Sequence, residues 1–217
     1  KYFEIVGRKH FMVDTRAVFD AKAAEALIHQ LNNNGAHADT LISDAIDIAN
    51  EHADPLSLSV ILSAQARIAL LQGDLQKATE WANTYNEPSS FAGMFFWQEV
   101  PCITKSKVLI NTGTRDSLQL AEEVLNLLYD LAAPNHLYIQ LVEINLLQSL
   151  VLFKTNQVEK SIEKMKAALL QAEKQGFLRP FVEVGDLALE PLEIMKERNV
   201  CVDFIQEVTS LIIKRAS

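Results

Sequence analysis

Glycine, proline and cysteine are scarce in this chain, and each shortage closes off a class of protein. Seven Gly and six Pro among 217 residues are too few to turn the many short strands of a β-sandwich or barrel. The two cysteines, Cys102 and Cys201, lie far apart in apolar surroundings. A secreted disulfide scaffold carries more, so a reducing, cytoplasmic setting is expected. A structural zinc site would need Cys and His at short spacing, which these two lack. An uninterrupted hydrophobic run is also missing. The most apolar stretch, Leu137 to Phe153, is broken by Gln140, Glu143, Asn145 and Gln148, and it falls short of the roughly 20 residues of a membrane span. Basic residues are in the minority, 20 Lys and Arg against 28 Asp and Glu, for a formal net charge of −8. Such a chain suits the phosphate backbone poorly, and no direct nucleic-acid contact is expected of it. Lys1 to His10 mixes charged with apolar residues and does not read as a signal peptide. The apolar pattern is already under way there, as expected of a domain excised from a longer protein.

Hydrophobic residues, in contrast, make up 49% of the chain, enough for an ordered core, and they recur in a fixed phrase. The four copies begin at Ile42, Leu75, Leu118 and Val158, which are 33, 43 and 40 residues apart. Each sets a large apolar residue, then a small one three positions on (Ala45, Ala78, Ala121, Ser161), then bulk again after three or four more. At 3.6 residues per turn these positions share one helix face. The small residue lets a neighbouring helix approach. A period of this length is that of helical-repeat arrays.

A pass along the chain places the helices. The first runs from about Asp14 to Leu31 and stops at Asn32-Asn33-Asn34-Gly35. Asp39 is placed to cap the next, which ends before Asp54-Pro55. Leu56 to Leu71 is apolar on more than one side, and Gln72-Gly73-Asp74 turns it into a partner at Leu75 to Tyr85. An aromatic-rich helix is expected from Phe91 to Asn111, with Pro101 kinking or splitting it. Asp116 to Ala132, Pro134 to Phe153 and Val158 to Lys174 follow, then shorter helices near Leu187 to Arg198 and Val202 to Lys214. The expected architecture is all-α: a right-handed superhelix of antiparallel hairpins, a tetratricopeptide-like solenoid, forming a single domain over residues 1–217. Its hairpins are expected at 14–52, 55–86, 91–132 and 134–175, with a helical cap at 177–215. In each pair the first helix is the more apolar, as the inner helix of a solenoid is.

Gln72-Gly73-Asp74-Leu75 with Ala78, Ala82 and Tyr85 resembles the turn and second helix of a tetratricopeptide repeat. Ala66 to Trp81, then Phe96 and Glu99, then Lys107 to Gly113 are similar to the repeat domain of MalT-like, LuxR-type transcriptional activators. Gly176, Arg179, Phe181 and Gly185 resemble the Gly-x-x-Arg-x-Phe-x-x-x-Gly segment that closes that domain. The resemblance covers roughly residues 55 to 198. It implies a sensor array between a nucleotidase domain and a helix-turn-helix DNA reader, binding an inducer small molecule or a regulatory protein. Neither flank can be assigned to these residues. No Gly-x-x-x-x-Gly-Lys-Ser/Thr loop is present, and no basic recognition helix follows Arg215. A free-standing tetratricopeptide-like adaptor holding a peptide is the alternative. Ser161 and Lys164 depart from the small and apolar residues usual at those places, as Pro101 does from a regular third pair.

Residues able to carry chemistry are few. His29 and His37 straddle the Asn-Gly turn and can meet, but no acidic or Cys partner is read at ligand spacing, so no metal site and no cofactor are expected. Cys102 has no His near it in sequence and reads as a small buried thiol. Glu122-Glu123 and the pair Asp44 and Asp47 lie on faces that read as solvated, not in a catalytic cleft. No enzyme is expected. The concentrated feature is aromatic: Phe91, Phe95, Phe96 and Trp97 are either hairpin core or a stacking platform for a sugar ring or flat metabolite. Arg67, Lys107 and Glu143 sit amid apolar residues on first helices. Buried alone they would be costly, so they either pair or face a solvated groove, and the groove is the expected case. The expected ligand or partner contacts are therefore Arg67, Trp97, Glu99, Lys107 and Glu143, on the concave wall.

Overall fold

The computed structural model describes residues 15–52, 54–85 and 99–216, and every regular element within them is helical. In chain order these are α1 (Thr15–Leu31), α2 (Gly35–Glu51), α3 (Pro55–Leu71), α4 (Leu75–Thr84), α5 (Pro101–Thr112), α6 (Arg115–Ala132), α7 (Tyr138–Lys154) and α8 (Val158–Gln175). A shorter set follows: α9 (Arg179–Val184), a 3₁₀ turn (Gly185–Ala188), α10 (Leu189–Glu197) and α11 (Val202–Ala216).

A chain poor in glycine still has to stop its helices, and it shares the task between glycine and asparagine. α1, α3 and α7 each end in a connection of the same form before α2, α4 and α8 begin. The residue in the left-handed conformation is Asn33 (φ 61°), Gly73 (φ 82°) and Asn156 (φ 60°) respectively. The next amide donates back five residues, Asn34 to the carbonyl of His29 (2.9 Å), Asp74 to Ala69 (2.9 Å) and Gln157 to Leu152 (2.8 Å). This is the Schellman closure, which satisfies carbonyls that the helix end would otherwise orphan. Asn tolerates positive φ better than other non-glycine residues, so glycine is needed in only one of the three hairpins.

Starts are marked by side-chain caps at several places. Asp54 accepts from the amides of Leu56 and Ser57, both at 3.1 Å, and Pro55 occupies the first helical position of α3. A hydrogen bond from the Ser57 hydroxyl, with those amides, holds the Asp54 carboxyl below its ordinary pKa. Asp74 caps α4 through the Lys77 amide at 3.0 Å, and Thr114 caps α6 through the Ser117 amide at 3.2 Å. Asp39 does not cap α2. That helix begins four residues earlier, at Gly35, and Asp39 instead accepts from the Gln72 side chain at 3.1 Å. The chain turns immediately at Asn33, so the helix starts before the first capping residue that composition suggests. The expected helix from Phe91 lies partly outside the described residues; α5 begins at Pro101, where a missing N–H costs no intrahelical bond. α7 starts at Tyr138 because Pro134 to Leu137 closes α6, with His136 at φ 53°.

The chain divides into two compact units, residues 1–108 and 109–217. In the first, α1 packs on α2 and α3, α2 on α3, and α3 on α4. Phe19, Ile42, Ile61 and Ile68 centre its core. In the second, α7 lies between α6 and α8, α9 packs on α7, and α10 packs on α8. α11 then covers α9 and α10. Burial on more than one side accounts for the composition of α7, in which every residue from Val142 to Leu152 is buried.

The small residue of the recurring phrase is where helices close. Ala45, Ala78 and Ala121 are fully buried, and so is Ser161. The leading bulky residue behaves differently: Ile42 and Leu118 are buried inside their helices, whereas Leu75 and Val158 open theirs and stay exposed. Ser161 keeps its hydroxyl satisfied, donating to the Ser149 carbonyl at 2.9 Å, with the Ser149 hydroxyl 3.0 Å away. Lys164, the other departure, is half-buried with its ammonium 4.1 Å from the centre of the Tyr129 ring. Burial lowers its pKa. Ser161→Val should therefore destabilise by about 1–3 kcal/mol, through overpacking and a stranded Ser149 hydroxyl. Urea denaturation followed by helical circular dichroism measures this, with Ser161→Ala expected to lose less.

Candidate functional site

The polar atoms buried in the interior are distributed unevenly. Ser57, Ser63 and Arg67 are buried on α3, Thr104, Ser106 and Lys107 on α5, and Glu143, Asn145, Gln148 and Ser149 on α7. On the partner helices α2, α4, α6 and α8 only Ser117 and Ser161 are buried polar residues. The first helices are thus apolar in composition yet hold nearly all the buried polar groups. Each such group costs free energy unless it finds a partner.

Arg67 finds Glu99. The guanidinium Nη1 lies 2.6 Å from Glu99 Oε2, with both side chains almost wholly removed from solvent. The other carboxylate oxygen accepts from Ser63 Oγ at 2.6 Å and from the Thr104 hydroxyl. Sequence position explains the meeting: Ser63 and Arg67 are one turn apart on α3, and Glu99 lies just before the start of α5. A carboxylate is favoured at a helix N-terminus. The expectation that Arg67 faces a solvated groove is corrected here; it is one half of a buried ion pair, 5% exposed. A charge this deep is stable only when the counter-charge and its spare lone pairs are satisfied, and Ser63 and Thr104 do that for Glu99.

Lys107 and Glu143 are buried as well, at 5% and 6% exposure, on α5 and α7. Neither faces open solvent along its length, and both have interaction partners. Trp97, with Phe91, Phe95 and Phe96, lies outside the described residues. Of the expected contacts, the structure therefore brings Arg67 and Glu99 together. An aromatic cluster that the sequence reading passed over is Trp81 stacked on Tyr85, ring centres 5.2 Å apart, with the Lys105 ammonium 5.8 Å from the Tyr85 ring. Its signal was available, since Trp81 and Tyr85 are four residues apart on one face.

Gln148 is the group missed by sequence reasoning. Its amide nitrogen donates to Asn126 Oδ1 at 2.7 Å, while its carbonyl oxygen Oε1 is buried with no hydrogen-bond partner. Asn145, one turn earlier, donates its side-chain amide to the Leu141 carbonyl at 2.8 Å. An orphaned acceptor costs about 1–3 kcal/mol until something donates to it. No feature of the sequence marks it, because the orphan arises from packing.

The cysteines carry no evident nucleophile. Cys102 is buried, its sulfur 3.5 Å from the Tyr85 hydroxyl. The Cys201 thiol is pushed up to about 11 by burial, with Glu173 beside it adding to the effect, so it stays protonated at neutral pH. Glu123, Asp44 and Asp47 are exposed and Glu122 half-buried. His29 and His37 do meet, with ring centres 4.2 Å apart. The carboxylate thought to be missing beside them is Glu25, one turn before His29 on α1.

Comparison with known protein families places the chain. Residues 6–198 fit the family model described as MalT-like TPR region. No curated protein and no solved structure matches the chain.

Proposed function

Because the chain belongs to the MalT-like TPR region family, we propose that it is the non-catalytic sensor and protein-interaction module of a LuxR-type transcriptional regulator. Its task is to bind an inducer small molecule or a regulatory protein in the concave groove of its helical array, in the cytoplasm. Binding then biases a nucleotidase and a DNA-binding domain of the same polypeptide. In an array where each hairpin contacts only its neighbours, small rotations add along the stack, which gives a ligand a route to a distant domain.

Support comes from where the polar groups lie. An array that only had to stay folded would fill its first helices with hydrocarbon. Here those helices carry Lys107, Glu143, Asn145 and Gln148, and the observation that carries the reading is the orphaned Gln148 Oε1. A ligand hydroxyl or amine donating to it repays a cost the free protein bears. Glu143, Asn145 and Gln148 lie together on α7 in the second unit and are then its polar contacts, while Arg67 and Glu99 hold the frame of the first. No helix among the described residues is long and apolar enough to cross a membrane.

A thermal-shift screen of metabolites against this chain tests the reading, since a ligand of the folded form raises its Tm by mass action. Gln148→Leu is expected to abolish the shift caused by a hit while leaving the unliganded Tm unchanged or higher. A shift that survives the substitution places the ligand elsewhere. Recovery of the complete reading frame tests the wider context. A P-loop upstream and a helix-turn-helix downstream support the regulator, whereas stop codons at both ends mean a free-standing adaptor.

A further inference from the structure

The hairpin of α1 and α2 brings three metal-ligating side chains to one point. Glu25 and His29 are four residues apart on α1, hence on one face, and His37 stands on the first turn of α2 across the connection. One ligand atom from each lies within 4.8 Å of the other two. We propose that Glu25, His29 and His37 form a site for a divalent first-row transition-metal ion of the zinc class.

The chemistry of the donors decides the class. Two imidazoles and one carboxylate are a borderline-soft set that favours Zn²⁺ and its neighbours in the series over Mg²⁺ or Ca²⁺, which need more oxygen ligands. A tetrahedral Zn²⁺ holds its ligands about 2.0–2.2 Å away and so about 3.3–3.6 Å apart, and rotation of these partly exposed side chains draws the donors in from within 4.8 Å to that separation. Glu25 and His29 are half-buried and His37 is exposed. A fourth position therefore opens to solvent and is filled by water.

The connection itself places Asn34 against the His29 ring. The Asn34 amide donates to the His29 carbonyl at 2.9 Å, which fixes Asn34 beside the ring, and Asn34 Nδ2 lies 3.2 Å from His29 Nδ1. A flip of the same side-chain amide about its last torsion presents its oxygen to an Nδ1–H instead. His29 is then left with Nε2 for the metal, the arrangement in which ligating histidines are oriented and made more basic. Lys22, on α1 next to this face, is 4.0 Å from Asp44 on α2, so its charge is directed away from the site. Bound through two imidazole lone pairs and a carboxylate, the donor set offers one negative charge to a dication. The bound ion would clip α1 to α2 at the closed end of the hairpin.

The test is calorimetric titration of the tag-free chain with Zn²⁺, alongside Mg²⁺ as control, with Co²⁺ as a spectroscopic substitute. One Zn²⁺ per chain is expected, with no Mg²⁺ binding and with the visible bands of four-coordinate Co²⁺ in a nitrogen and oxygen site. His37→Ala, an exposed change that leaves the Tm of the metal-free protein in place, should abolish stoichiometric binding. Glu25→Gln should weaken it, and Asn34→Ala should weaken it on the order of tenfold or more by freeing the His29 ring. The proposal is overturned by any of three results: no stoichiometric binding, binding unchanged in His37→Ala, or a thiolate charge-transfer band showing that Co²⁺ sits on a cysteine.

Discussion

Replacing Glu99 with alanine is expected to destabilise the protein by about 3–5 kcal/mol, the cost of stranding a buried counter-charge. Arg67 is 5% exposed, and its guanidinium lies 2.6 Å from Glu99 Oε2. Truncation leaves that charge in the interior, together with the Ser63 and Thr104 hydroxyls that donate to the same carboxylate. Arg67→Met should cost a similar amount for the mirrored reason. The double variant Arg67→Met/Glu99→Leu should recover much of the loss, because a hydrocarbon pair of similar volume is often as stable as a buried ion pair. The two residues are in direct contact, so their separate losses are not expected to add. Thr104→Val, which removes one donor of several, should cost nearer 1 kcal/mol. Urea denaturation measures all four. A loss below about 1 kcal/mol for Glu99→Ala would show that water or Arg67's remaining partners hold its charge without Glu99.

That Arg67 and Glu99 would pair was not legible, although both residues were singled out. Sequence spacing shows that Arg67 sits amid apolar residues on a first helix, and burial or a groove satisfies that pattern equally well. Pairing across 32 residues depends on how α5 begins, and Pro101 decides this by starting the helix two residues beyond Glu99. The helices themselves were legible because their signals are local. Apolar periodicity, Asp54 before Pro55, and Gly73 between α3 and α4 each act within one turn of chain. Asp39 misled for a related reason. Capping residues were weighed, but the left-handed Asn33 turns the chain at once, and α2 is under way before Asp39 arrives. His29 and His37 are legible as neighbours because they flank one turn, whereas Glu25 joins them through the helical repeat of α1. Gln148 had no local signal at all: whether a buried amide finds its second partner is a property of packing.

The closing segment gives the other large effect: Phe181→Ala is expected to cost about 3–5 kcal/mol, as for other fully buried aromatic truncations. Each residue of the Gly-x-x-Arg-x-Phe-x-x-x-Gly pattern has a separate physical task here. Gly176 ends α8 in the left-handed conformation at φ 70°, and the Phe177 amide returns to the Ala172 carbonyl at 3.0 Å. Arg179 reaches Glu183 one turn on, at 3.2 Å, which gives a buried carboxylate its counter-charge. Phe181 is completely buried and meets the Phe204 ring edge to face at 5.8 Å, on a helix, α9, that packs against both α7 and α11. Gly185 bends α9 into the 3₁₀ turn at φ 57° and ψ −134°, a conformation open essentially to glycine alone. No atom would obstruct a side chain at Gly185, so Gly185→Ala isolates backbone strain and should cost about 1–3 kcal/mol. Phe181→Ala acts instead by opening a cavity between α9 and α11. Its loss should therefore appear first as faster amide exchange in α11, with the amides of α2 little changed. Phe181→Leu should restore part of the protection by refilling the cavity. Equal acceleration in α2 and α11 would mean that the two units unfold together, and the segment would then be a keystone of the whole chain, not a local closure.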